Sequence, residues 1–92
     1  VIFNFQGQER RRLIVRLFGR TFVVVTSLDG RARSIKERKE RADGVIRDET
    51  YWHISQGIPR DGRKGRRRSI VRTVLDAAGA TYPGQDIIRL AA

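Results

Sequence analysis

The sequence predicts an α+β domain: a small, mainly antiparallel sheet of three to four strands packed by two or three short helices, with a flexible basic loop. Three observations carry this expectation. Runs rich in β-branched and aromatic residues fill the first part of the chain, and apolar residues recur at helical spacing after Ser69. Between them, Arg60-Asp61-Gly62-Arg63-Lys64-Gly65-Arg66-Arg67-Arg68 carries six positive charges, one negative charge and no apolar side chain. A block of like charges repels itself and stays extended and solvated.

Val1-Ile2-Phe3-Asn4-Phe5 reads as a first strand, with Val1, Phe3 and Phe5 on one face at the period of two. Gln6-Gly7-Gln8 breaks it. Leu13 to Phe18 and Thr21 to Thr26 are strands joined by Gly19-Arg20, and a two-residue loop with Gly first is a type II′ hairpin signal. Arg31 to Ala42 has the composition of a solvated helix, with Ile35 as its one large apolar residue. Glu37 with Arg41, Arg33 with Glu37 and Lys36 with Glu40 are spaced as helical ion pairs, and Asp43-Gly44 ends the segment.

Val45-Ile46, a polar break at Arg47-Asp48-Glu49, and Thr50 to Ser55 give one interrupted strand or two short ones. Alternation places Trp52 and Ile54 inward and Tyr51, His53 and Ser55 outward. Gly57-Ile58-Pro59 opens the basic loop, residues 57–68. Ser69 is spaced to cap a helix over Ile70 to Ala78, whose stripe of Ile70, Val71, Val74, Leu75 and Ala78 faces a core, and Gly79 suits the residue after it. Tyr82-Pro83-Gly84 introduces a last short helix with Ile87, Leu90 and Ala91 inward, with an edge strand over Asp86 to Leu90 as the alternative.

Size and composition narrow the functional classes. The 92 residues form one domain, 1–92, and the net charge of +10 favours a polyanionic partner. With no cysteine and one histidine, the chain offers no disulfide framework, no thiolate nucleophile and no cysteine or multi-histidine metal site, so no cofactor, metal or catalytic residue is assigned. No apolar run approaches the length of a membrane span, so a soluble, intracellular protein without membrane contact is expected.

The leading functional reading is a non-enzymatic nucleic-acid-binding domain, with duplex DNA favoured over structured RNA. Arg60, Arg63, Lys64, Arg66, Arg67 and Arg68 supply phosphate contacts, extended by Arg10, Arg11 and Arg12 at the entrance of the second strand. Tyr51 and His53 offer rings for base stacking beside these cations. Two rivals use the same chemistry. Asp48, Glu49 and His53, close in sequence, would act with Arg60 and Lys64 in a small RNase of the toxin type. A basic inhibitor would instead place the arginines on an acidic protein partner. Val1 to Phe5, as an exchanged edge strand, would make a homodimer.

After the residues Ile70-Val71, Val74-Leu75, Ala78-Gly79, Pro83 and Asp86-Ile87-Ile88, the segment Ser69 to Ala92 resembles the first two helices of winged-helix domains. The third, groove-reading helix of that family has no counterpart in these residues, so its DNA readout is not carried over.

Overall fold

The computed structural model describes residues 1–60 and 66–85. Five strands run in sequence order across one sheet, each antiparallel to the next: β1 (Ile2–Phe5), β2 (Gln8–Leu17), β3 (Arg20–Ser27), β4 (Ala32–Glu40) and β5 (Ile46–His53). A single turn of 3-10 helix, Ile54–Gln56, follows β5, and one α-helix, α1 (Arg66–Ala78), packs on β2 and β3. The expectation of three to four strands with two or three short helices is therefore corrected, among the described residues, to five strands and one long helix. Arg63, Lys64 and the last short helix expected over residues 86–92 lie outside the described residues.

Both N-terminal hairpins turn on two residues in left-handed backbone. In the first, Phe5 pairs with Gln8 across Gln6-Gly7, and in the second Leu17 pairs with Arg20 across Phe18-Gly19. The φ angles are 50° and 77° in one and 56° and 67° in the other. Positive φ at both central residues marks the type I′ turn, whose twist matches that of the flanking strands. The expected Gly19-Arg20 loop is thus shifted by one residue: Arg20 enters β3, and Phe18 takes a strained position beside the glycine.

The expected helix over 31 to 42 is strand β4, and its opposite charges pair across strands rather than along a helix. Glu37 accepts two hydrogen bonds from Arg20 of β3, at 2.7 and 2.8 Å, and Arg38 pairs with Asp48 of β5 at 2.9 Å. A solvated helix anchored by Ile35 alone would bury little, whereas in β4 the same Ile35 is completely buried opposite Val24. Asp43-Gly44 then forms part of the β4–β5 hairpin loop, with the Arg41 N–H bonded to the Val45 carbonyl. Asp48 and Glu49 sit within a continuous β5, because their partners Arg38 and Lys39 neutralise what looked like a polar break.

Two register shifts mark β-bulges. Between β3 and β4, Val25 pairs with Ser34 and Thr26 with Ala32, leaving Arg33 as the extra residue. Between β4 and β5, Ile35 pairs with Trp52 and Lys36 with Thr50, leaving Tyr51 extra. A bulge breaks the alternation of side chains and re-aims them. Tyr51 and Trp52 consequently both pack against the core, correcting the expectation that Tyr51 points outward.

The core lies on one face of the sheet, where Val15, Phe22, Val24 and Ile35 meet Val71, Val74 and Leu75 of α1. The helix begins at Arg66 instead of Ile70, so Ser69 lies inside it and not at its cap, since arginine is a good helix former and extends the helix by about one turn. It ends in a Schellman motif, with the Gly79 N–H bonded to the Asp76 carbonyl and the Ala80 N–H to the Leu75 carbonyl. Gly79 has a φ of 68°, so Gly79→Ala should lower stability by about 1 kcal/mol in chemical denaturation. An unchanged midpoint would deny the turn this role. Among the described residues, no helix is long and apolar enough to cross a membrane.

Candidate nucleic-acid interface

The bulge at Tyr51 and the start of α1 bring aromatic and cationic groups together. An open groove of about 500 Å³ is lined by Arg60, Arg66 and Arg67 with the rings of Tyr51 and Trp52, and Pro59 and Ile70 complete its walls. Among the described residues, no carboxylate lines it. The Trp52 indole N–H donates to the Gly57 carbonyl at 2.7 Å, which fixes the ring and the turn leading to Pro59. Tyr51 stands edge-on to Phe22, with ring centroids 5.5 Å apart, and the Arg67 guanidinium lies 5.1 Å from its ring centre. The Arg20 guanidinium lies 5.4 Å from the same centre.

Glu37 anchors this cluster from below. Its bidentate hydrogen bonds hold Arg20 in the protonated state still more firmly than usual, and the same bonds lower the carboxyl pKa of Glu37. Arg20 is thereby committed to Glu37, while Arg60, Arg66 and Arg67 face the groove. Arg66, Arg67 and Arg68 occupy the first turn of α1, which contains no acidic residue. Three cations at the positive end of a helix dipole repel it and one another, a cost relieved by an anion at that end.

The opposite face of the sheet, uncovered by any described element, carries a second group of cations. Arg12, Arg16, Lys36 and Arg38 project there by register, with Arg10 beside Phe3 of β1. The Arg12 guanidinium lies 5.9 Å from the ring centre of Phe3 and also reaches Asp48 at 3.1 Å. β2 and β5 are three strand spacings apart, about 14 Å in a flat sheet, so the twist must lift these diagonal corners toward each other. Val23 is almost fully buried on this face, between its cross-strand partners Ile14 and Lys36.

The sequence-predicted residues therefore divide into three sets. Arg60, Arg66, Arg67 and Tyr51 share the groove, and Arg68 follows on the same helix. Arg10 and Arg12 belong to the uncovered face, while Arg11, one residue out of phase, belongs to the helix-packed side. His53 is elsewhere: its Nδ1 accepts the Ser55 N–H at 3.3 Å and caps the 3-10 turn. Asp48 and Glu49 point to opposite faces as successive strand residues, so the triad of Asp48, Glu49 and His53 does not assemble. Among the described residues no group of His, Asp or Glu forms a metal-binding cluster. Arg20 and Glu37 were missed as site residues; the register that brings them together leaves no local pattern in the chain.

The hydrogen bonds from Arg38 to Asp48 and from Arg20 to Glu37 are the main causes that lower both carboxyl pKa values. Unfolded references are about 3.9 for Asp and 4.3 for Glu. Because the folded values lie lower, the resulting stability is full above those references and is lost as pH falls through the folded values. Thermal unfolding should thus show an acid limb beginning near pH ~5, flattened in the Glu37→Gln, Asp48→Asn double variant. An identical acid limb in that variant would assign acid sensitivity to other groups.

Comparison with protein-family models, with curated proteins and with solved structures finds no match for this chain. Its chemistry is accordingly read from its own residues.

Proposed function

We propose that this chain is a non-enzymatic nucleic-acid-binding domain that grips the phosphate backbone through Arg60, Arg66 and Arg67, with duplex DNA preferred to structured RNA. The carrying observation is the groove these three arginines share, with no carboxylate in its wall among the described residues. Three guanidiniums spaced around an open groove suit a chain of phosphates, each contact releasing condensed counterions. Arg63 and Lys64, between Arg60 and Arg66 in sequence, extend the same run of charge.

Duplex DNA is favoured because the rings at the groove are already engaged. Tyr51 is held by Phe22 and two guanidiniums, and Trp52 is tied to Gly57. Neither presents a free platform of the kind that stacks single-stranded bases. Arg10 and Arg12 on the other face add long-range attraction rather than contacts in the same groove.

Fluorescence anisotropy with duplex DNA, single-stranded DNA and hairpin RNA across a salt series tests this reading. Tightest binding to duplex, little dependence on sequence and a steep salt slope are expected. Tighter binding of hairpin RNA would reverse the order of ligands. If all three nucleic acids dissociate at modest salt while an acidic protein partner stays bound, the inhibitor reading replaces this one; RNA cleaved during the assay would replace it with the RNase.

A further inference from the structure

We infer that the cavity between the start of β4, the end of β5 and the segment after α1 is a binding site for a phosphate monoester group, held by Arg31, Arg33 and His53, with Ser55 positioning the His53 ring. The cavity measures about 490 Å³, with Thr81 and Tyr82 also in its wall and no carboxylate lining it among the described residues. It is separate from the groove at α1, and the inference does not depend on what that groove binds.

Backbone geometry delivers the cations. Arg33 is the extra residue of the β3–β4 bulge, which frees its side chain from the alternation of the strand. It is exposed and makes no hydrogen bond or ion pair among the described residues. Arg31 is steadied by Asp29, its Nε 3.4 Å from the Asp29 carboxylate, and leaves its other donors available.

His53 adds a directed group, and Ser55 sets its tautomer. A backbone N–H can only donate, so the bond from Ser55 N to His53 Nδ1 makes Nδ1 the acceptor nitrogen. The neutral ring then carries its proton on Nε2. Ser55 Oγ, 2.6 Å from the same Nδ1, also donates to it. The imidazole therefore offers Nε2–H as a further donor. Capping of the 3-10 turn explains the His53–Ser55 contact, but not the bulged Arg33 or the lack of acid in the walls among the described residues.

The walls are fixed in advance of binding. Ala32 N–H donates to the Thr81 carbonyl at 2.8 Å, and Thr81 N–H to the Gly30 carbonyl at 2.9 Å. The buried Tyr82 hydroxyl donates to Asp76 of α1 at 2.8 Å. Two guanidiniums and an imidazole N–H match a dianion with three terminal oxygens better than a singly charged diester that must continue on both sides. A free phosphate ester and the phosphorylated end of a nucleic acid both present that group.

Proton–nitrogen NMR spectra of the full chain, titrated with inorganic phosphate at constant ionic strength, provide the test. Saturable shifts confined to Arg31, Arg33, His53 and Ser55 are expected. Arg33→Ala and, separately, Ser55→Ala should weaken phosphate about tenfold while the rest of each spectrum stays in place. In a second arm, duplexes with 5′-phosphate and 5′-hydroxyl ends are compared. A preference for the phosphate end that Arg33→Ala abolishes identifies a nucleic-acid terminus as the source; equal binding of the two, with the phosphate shifts retained, identifies a free phosphate ester. Shifts spread equally over Arg66 and Arg67, or unaffected by Arg33→Ala, would overturn the site.

Discussion

Replacing Arg60, Arg66 and Arg67 together by alanine should reduce affinity for all duplex sequences alike and flatten the salt dependence of binding. Each phosphate contact contributes about 0.9 to the slope of log affinity against log salt, so three contacts contribute between two and three units. Over a fourfold rise in salt, those contacts account for a loss of about fortyfold in the unmodified chain, which the variant should no longer show. The folded state should tolerate the change, because Arg60, Arg66 and Arg67 are exposed and their removal relieves repulsion at the start of α1. Salt-series anisotropy of both proteins checks the expectation. Discrimination between sequences that shifts while the slope stays fixed would mean that these arginines read bases instead of phosphates.

Phe22→Ala should produce the largest loss of stability. Phe22 is fully buried at the centre of the sheet, packed with Val24 and Ile35 in the core that α1 covers. Truncating a buried phenylalanine costs about 3–5 kcal/mol, while a domain of this size has on the order of 5–14 kcal/mol in total. Urea unfolding should therefore show a strongly reduced midpoint at 25 °C. Phe22→Leu, which keeps most of the volume, should lose much less. A loss below ~1 kcal/mol for the alanine variant would mean that the core closes over the vacancy. The ring also supports Tyr51 edge-on, so the alanine variant should loosen the wall of the α1 groove, and duplex binding should fall further as the folded fraction falls. Packing in the core and phosphate contact at the surface are linked through that one ring pair.

The parts of this fold that were legible in the chain are those whose signal is local. Runs of β-branched and aromatic residues marked β2 and β3, and the spacing of Val71, Val74 and Leu75 marked the buried stripe of α1. Gly79 marked its end because only a residue tolerant of positive φ suits that position. The cationic segment from Arg60 to Arg68 was equally visible, since charge density requires no partner to be recognised.

β4 was misread because its alternating charges satisfy helix spacing as well as strand spacing. With a single large apolar residue, the segment has no periodic stripe to choose between them. The choice was made by β3, which needed a second strand partner, and by Arg20 and Asp48, which supplied charges across strands. Tyr51 was placed outward because alternation is a rule about unbroken strands, and the bulge that breaks it is a property of register between two of them. For the same reason the triplet Arg10-Arg11-Arg12 looked like one patch and is divided between two faces.

By itself the sequence determined an α+β chain with a strongly basic surface, a hairpin of apolar strands and an amphipathic helix closing a core, because composition and periodicity act within a few residues. Tertiary structure alone decided the number of strands, the identity of β4, and which cations share a groove with which rings. Those depend on pairing between segments distant in the chain, where one residue of register moves a side chain from one face of the sheet to the other.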